Sequence, residues 1–134
     1  MKKIMDKSLK EKFALKKTTH GLGLVTKIPL KRDTFIVEYT GEKITQEEGD
    51  RRGGRYLMVY DKKYMIDGKG RENLGRYVNH SCKPNCKTYM ENKKIRVYTI
   101  KNVAAGEELT YNYGKEYCDA YCKPCLCGAC LQKK

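Results

Sequence analysis

The sequence predicts a mostly β domain, on three observations. Short runs rich in β-branched and aromatic residues recur along it. Turn-forming residues stand between those runs, and several short strands at close spacing mark all-β architectures. The long helices of a doubly wound α/β sheet are missing, which excludes nucleotide-binding folds built on βαβ units.

The elements follow in order. MKKIMDKSLKEKF opens with a basic lead, residues 1–12, lacking the apolar core of a secretory signal. FALKKTTHGLGLVT reads as two strands around a turn at His20-Gly21. TFIVEYTGEKI has strand composition, broken at Gly41. Helix signals are weak, one over Gln46 to Arg52 and one over Asn73 to Val78. RYLMVYDKKYMID reads as a hairpin turning at Asp61-Lys62-Lys63, and CKTYMENKKIRVYTI as another turning at Glu91-Asn92-Lys93.

At 134 residues the chain has the length of one domain with its own core. No apolar run approaches the ~18 residues of a membrane span. Its formal net charge of +13 is uneven: residues 1–32 hold ten Lys and Arg against two acids, whereas residues 33–114 hold fifteen against twelve. A basic entry segment of this kind suits a polyanion such as nucleic acid, and solubility alone is the plainer account of it.

Seven cysteines are an odd number, which argues against a fully paired disulfide framework and for a reducing, intracellular setting. Five of them crowd the tail YCDAYCKPCLCGAC, at Cys118, Cys122, Cys125, Cys127 and Cys130. Thiolates at this spacing suit tetrahedral zinc, with disulfide or redox chemistry as the alternative. Cys125, Cys127 and Cys130 form the tightest run and leave one coordination position open. Either Cys82, from RYVNHSCKPNC, or a local thiol at Cys118 or Cys122 could fill it.

Six stretches in this order carry a family likeness: HGLGL (20–24), EYTGE (38–42), YMID (64–67), RYVNHSCKPNC (76–86), GEELTYNYG (106–114) and CLCGAC. Together they resemble the SET-domain protein lysine methyltransferases, the last stretch resembling their post-SET zinc segment. The resemblance divides the chain into a lead (1–12), a SET domain (13–114) and a post-SET tail (115–134). It implies short sheets in a β-clip-like arrangement with a C-terminal pseudoknot. It also implies S-adenosylmethionine as methyl donor and a protein lysine, on a histone or another nucleic-acid-associated protein, as acceptor. By matched position it implies that His20, Gly21, Leu22, Tyr56, Asn79, His80 and Leu126 border the donor. Tyr113 would stand at the transfer centre with Tyr39 facing it, and Tyr111 would influence how many methyl groups are added, a tyrosine there pointing to one. Cys82, Cys125, Cys127 and Cys130 would hold zinc. Asn85 would bond backbone inside the threaded loop, and Cys86 would begin a strand.

Two other readings compete. A non-catalytic basic zinc module binding nucleic acid accounts for the charge and the thiols, but leaves NHSCKPN and GEELTYNYG unexplained. A zinc hydrolase built on His80, Cys82 and Cys86 lacks HExxH-type spacing.

Overall fold

A computed structural model describes residues 7–18, 21–54 and 56–113. Within them, ten short strands form four small sheets. Strand β1 (Phe13–Thr18) pairs antiparallel with β2 (Gly21–Thr26), from Phe13 opposite Thr26 to Thr18 opposite Gly21. Strands β3 (Phe35–Tyr39), β4 (Glu42–Thr45), β5 (Leu57–Val59) and β6 (Tyr64–Asp67) follow in the chain. β7 (Asn79–His80), β8 (Cys86–Glu91), β9 (Lys94–Thr99) and β10 (Thr110–Tyr111) complete the set. One three-stranded sheet runs β3-β9-β8 and the other β4-β6-β5, both antiparallel throughout.

Local chemistry explains the hairpins. Asn92 and Lys93 join β8 to β9 with φ of 50° and 63°, the left-handed pair that a two-residue hairpin loop needs. Glu91, expected in that turn, stays in the strand opposite Lys94. Between β5 and β6, the Asp61 carboxylate accepts hydrogen bonds from the Lys63 and Tyr64 backbone N–H groups, both at 2.8 Å, and fixes the turn.

The helix over Gln46–Arg52 forms as expected. Thr45 caps it by accepting from the Glu48 N–H at 3.1 Å, Glu47 and Glu48 occupy the first turn, and Arg51 and Arg52 the last, which matches the helix dipole. Arg52 then bridges Glu48 to Glu42 and Asp67, tying the helix to β4 and β6. The helix signal over Asn73 to Val78 becomes a single 3-10 turn, Leu74–Tyr77, capped by Asn73. Asn73 is 1% exposed and fully engaged: its oxygen accepts from Thr40 and Gly75 N–H, and its amide donates to the Gly68 carbonyl. A further short helix, Lys7–Lys12, lies in the basic lead, where no helix was expected.

Leu24, Val78, Val97 and Leu109 are the most deeply buried apolar side chains and anchor the main core, with Tyr39, Ile66 and Ile95 forming a second cluster. Leu109 belongs to a segment clasped on two sides. On one side, Leu109 N–H donates to the Leu24 carbonyl at 2.8 Å and Thr26 N–H to the Glu107 carbonyl at 3.1 Å. On the other, the Asn85 amide donates to the Glu108 carbonyl at 2.8 Å while its oxygen accepts from Thr110 N–H at 2.9 Å. Asn85 thus bonds backbone as expected, and Cys86 begins β8.

Candidate active site

The clasp creates the site. Strands β7 and β10 pair in parallel, Asn79 beside Thr110 and His80 beside Tyr111. Both strands have two residues, too few for periodicity to announce them.

Asn79 is half-buried, and its amide donates to Glu108 Oε2 at 2.8 Å, to the Leu22 carbonyl at 3.2 Å and to Thr18 Oγ1 at 3.4 Å. One side chain therefore joins the β1–β2 hairpin to the clasped segment. Gly23 makes this approach feasible, because a Cβ there would lie 2.4 Å from Glu108 Oε2 and 3.0 Å from Asn79 Nδ2. Beside it, Gly21 has φ +93°, a conformation open to glycine, and a Cβ built on it meets nothing within 4 Å. Among the described residues, nothing covers that side of the exposed Gly21-Leu22 stretch next to the Asn79 amide and the Glu108 carboxylate.

His80 is 5% exposed and oriented at both ring nitrogens. Its Nδ1 accepts from the Tyr113 N–H at 3.1 Å, which puts the imidazole proton on Nε2, 3.4 Å from Cys82 Sγ. Tyr113 is half-buried; its hydroxyl donates to the Val78 carbonyl at 2.6 Å, and its ring centre lies 5.4 Å from His80 and 4.9 Å from the buried Tyr111. The Tyr113 hydroxyl proton is thereby directed at the Val78 carbonyl.

Tyr39 packs with Ile66 and Ile95, and its hydroxyl donates to the Tyr56 carbonyl at 2.6 Å. The Tyr56 ring is covered by the Arg76 guanidinium at 4.2 Å. Tyr39 and Tyr113 border the same 3-10 turn: Tyr39 closes on Gly75, where a Cβ would meet its ring at 2.8 Å, and Tyr113 bonds Val78 at the turn's end.

The structure thus gathers Asn79, His80, Tyr111 and Tyr113 at one place and sets Tyr39 with Tyr56 on the neighbouring cluster. His20, Leu126, Cys125, Cys127 and Cys130 lie outside the described residues, as do Cys118 and Cys122. Two participants escaped sequence reading. Glu108 stood in view within GEEL, but only the fold aims it at Asn79, and the Val78 carbonyl has no sequence signature at all.

The donor set fits an amino acid joined to a heterocycle: an amide, a carboxylate, open backbone and aromatic faces converge. For zinc, Cys82 presents an exposed thiol with the His80 Nε2–H beside it, an outer partner that suits a metal-bound thiolate. Among the described residues no group of three or more His, Cys, Asp or Glu side chains gathers.

Comparison with known proteins bears on this geometry. The SET domain family model matches residues 21–114. The chain is 37% identical over 123 residues to histone-lysine N-methyltransferase ATXR7 of Arabidopsis thaliana, covering 82% of this chain and 9% of that protein. It is 34% identical over 125 residues to a histone-lysine N-methyltransferase, H3 lysine-4 specific, of Emericella nidulans, and 36% identical over 124 residues to the one of Schizosaccharomyces pombe. Each match covers 82% of this chain, but only 10% and 13% of those proteins. With a family match spanning most of its length and the clasped segment in place, this chain belongs to the SET domain family.

Proposed function

We propose that this chain transfers a methyl group from S-adenosylmethionine to the side-chain amine of a lysine in a protein. The observation that carries the reading is the parallel β7–β10 pairing, which brings Asn79 and His80 against Tyr111 and Tyr113.

When bound, S-adenosylmethionine would supply an electrophilic methyl on a sulfonium. Asn79, with Glu108 behind it, would hold the amino-acid end, and the Gly21-Leu22 backbone would line the donor together with His20, Tyr56, His80 and Leu126. The Glu108 carboxylate complements the positive charge of such a ligand. Tyr111 and Tyr113, with Tyr39 on the adjoining cluster, would form apolar walls that exclude water from the acceptor amine. A free lysine has a pKa of about 10.4, so the amine must shed its proton before it can attack. Desolvation between rings and the nearness of a cation both favour the neutral form. The Tyr113 hydroxyl, itself oriented by Val78, would accept an amine N–H and point the nitrogen lone pair. Holding both reactants in line would account for a large part of the acceleration.

Cys82 with Cys125, Cys127 and Cys130 would hold one zinc ion and pin the tail over the site, Cys118 or Cys122 being the local replacement. The names of two relatives, H3 lysine-4 specific, make histone H3 the first substrate to test, with action at the nucleus or a chromosome. The basic segment 1–32 would dock on nucleic acid and deliver a substrate tail, a contact that added salt should weaken.

The test is incubation with methyl-labelled S-adenosylmethionine and a panel of histones, nucleosomes, ribosomal proteins and cell extract, alongside direct titration of the donor. Saturable donor binding and label recovered on lysine are expected. No binding and no transfer, with tight salt-sensitive retention of nucleic acid instead, would favour the non-catalytic zinc module.

A further inference from the structure

The sheet β3-β9-β8 turns Ile95, Val97 and Thr99 inward, and its opposite face meets solvent. By register that outer face carries Phe35 and Glu38 from β3, Arg96 and Tyr98 from β9, and Lys87 and Tyr89 from β8, Glu38 lying opposite Arg96. Three rings cross the three strands in one row: Phe35 to Tyr98 at 5.6 Å and Tyr98 to Tyr89 at 5.8 Å between centroids, each edge to face. Phe35 is 47% exposed and Tyr89 43%. Since the core lies on the other side of the sheet, packing does not require this row.

Cations are interleaved with the rings. Arg96 lies 5.7 Å from the Phe35 centroid, and Lys87 5.6 Å from that of Tyr89. Glu91 is engaged locally, accepting from the Tyr98 hydroxyl at 2.5 Å and from Arg96 at 3.0 Å. At the Phe35 end, Thr99 Oγ1 donates to the Lys31 carbonyl at 2.7 Å and brings exposed Lys31 and Arg32 to the sheet edge, with Lys101 just beyond β9. At the far end stand exposed Lys93 and Lys94.

We propose that this face binds single-stranded nucleic acid, with bases stacking on Phe35 and Tyr89 and phosphates meeting the surrounding Lys and Arg. An acidic protein would use the cations and leave the rings idle, and an apolar protein would have to desolvate the cations. Unpaired bases match both, because every base has a π-face and every nucleotide a phosphate. A duplex hides its bases and could engage the charges alone. The row of rings shares no residue with the active site, and its cations include Lys31 and Arg32 at the end of the basic segment 1–32; the inference does not depend on the methyl-transfer reading.

Fluorescence anisotropy with labelled oligonucleotides of about 12 nucleotides tests it. RNA and DNA single strands of one sequence, and the corresponding duplex, are titrated with the full chain. Single strands should bind at least about tenfold tighter than the duplex, and Phe35→Ala with Tyr89→Ala should weaken them by about tenfold or more. Tyr89→Phe, which keeps the ring, should remain within about twofold of wild type, whereas Lys87→Glu should weaken binding and flatten its salt dependence. Tighter binding of RNA would place a 2′-hydroxyl in the contact, and equal binding would leave recognition to rings and phosphates; both support the proposal. Absence of binding, equal binding of duplex, or an unchanged affinity in the folded double-alanine variant would overturn it.

Discussion

Asn79 and Glu108 are joined across the fold by a 2.8 Å hydrogen bond from amide to carboxylate. Because Asn79 also reaches the Leu22 carbonyl and Thr18, Glu108 braces the junction where the hairpin meets the clasped segment. Glu108→Ala should therefore weaken S-adenosylmethionine binding by about tenfold, the scale of one hydrogen bond to a charged group. Glu108→Gln keeps an acceptor oxygen and should lose less. Calorimetric titration of the donor checks both, and equal affinities in all three proteins would reduce Glu108 to a surface acid.

Removal of one oxygen separates chemistry from binding at Tyr113. Tyr113→Phe should leave the donor dissociation constant within about twofold while the single-turnover methyl-transfer rate falls more than about tenfold, since orientation is lost and the ring remains. If affinity collapses with the rate, the hydroxyl's bond to Val78 holds the fold rather than the reaction.

Tyr111 stands 4.9 Å from the Tyr113 ring and is buried. The wild-type chain should add one methyl group, and Tyr111→Phe should enrich di- and trimethyl-lysine by vacating space at the acceptor nitrogen. Time-resolved mass spectra of a lysine peptide decide it. A wild-type product dominated by trimethyl-lysine from the first time points would contradict the assignment.

Acid should loosen the helix that follows β4. Hydrogen bonds from Arg51, then Arg52, lower the Glu48 pKa from 4.5 to about 2. A carboxylate whose folded pKa is depressed contributes stability above its unfolded value and loses it as pH falls through the folded one. The contribution should thus be complete above pH 4.5 and fade toward pH 2. Glu48→Gln should flatten the slope of melting temperature against pH in that window. Parallel slopes for the two proteins would show that the pair is fully screened.

The two described thiols should react differently. Burial pushes the Cys86 thiol up to about 12, whereas Cys82 is exposed. Iodoacetamide at about pH 8 should spare Cys86 in the folded chain. Zinc-loaded protein should also protect Cys82, and chelation should release it to alkylation while Cys86 stays unmodified. Peptide mapping reads both sites, and Cys82 labelling that ignores zinc would remove it from the metal's ligands.

Elements with local causes can be read directly from the order of residues. Alternating β-branched and aromatic runs, the Asn92-Lys93 and Asp61 turns, and a helix with Thr45 in front and acids before bases all act within a few residues. They were legible for that reason. Long-range packing, by contrast, places Asn79-His80 beside Thr110-Tyr111, turns Glu108 to Asn79, and aligns Phe35 with Tyr98 and Tyr89 in a row. Tyr98 and Tyr89 share the β8–β9 hairpin, and Phe35 joins them only through the long-range β3–β9 pairing. The partners of Asn79, His80 and Glu108 are set by how the 107–113 segment seats between the β1–β2 hairpin and Asn85, through two-residue strands with no period to read.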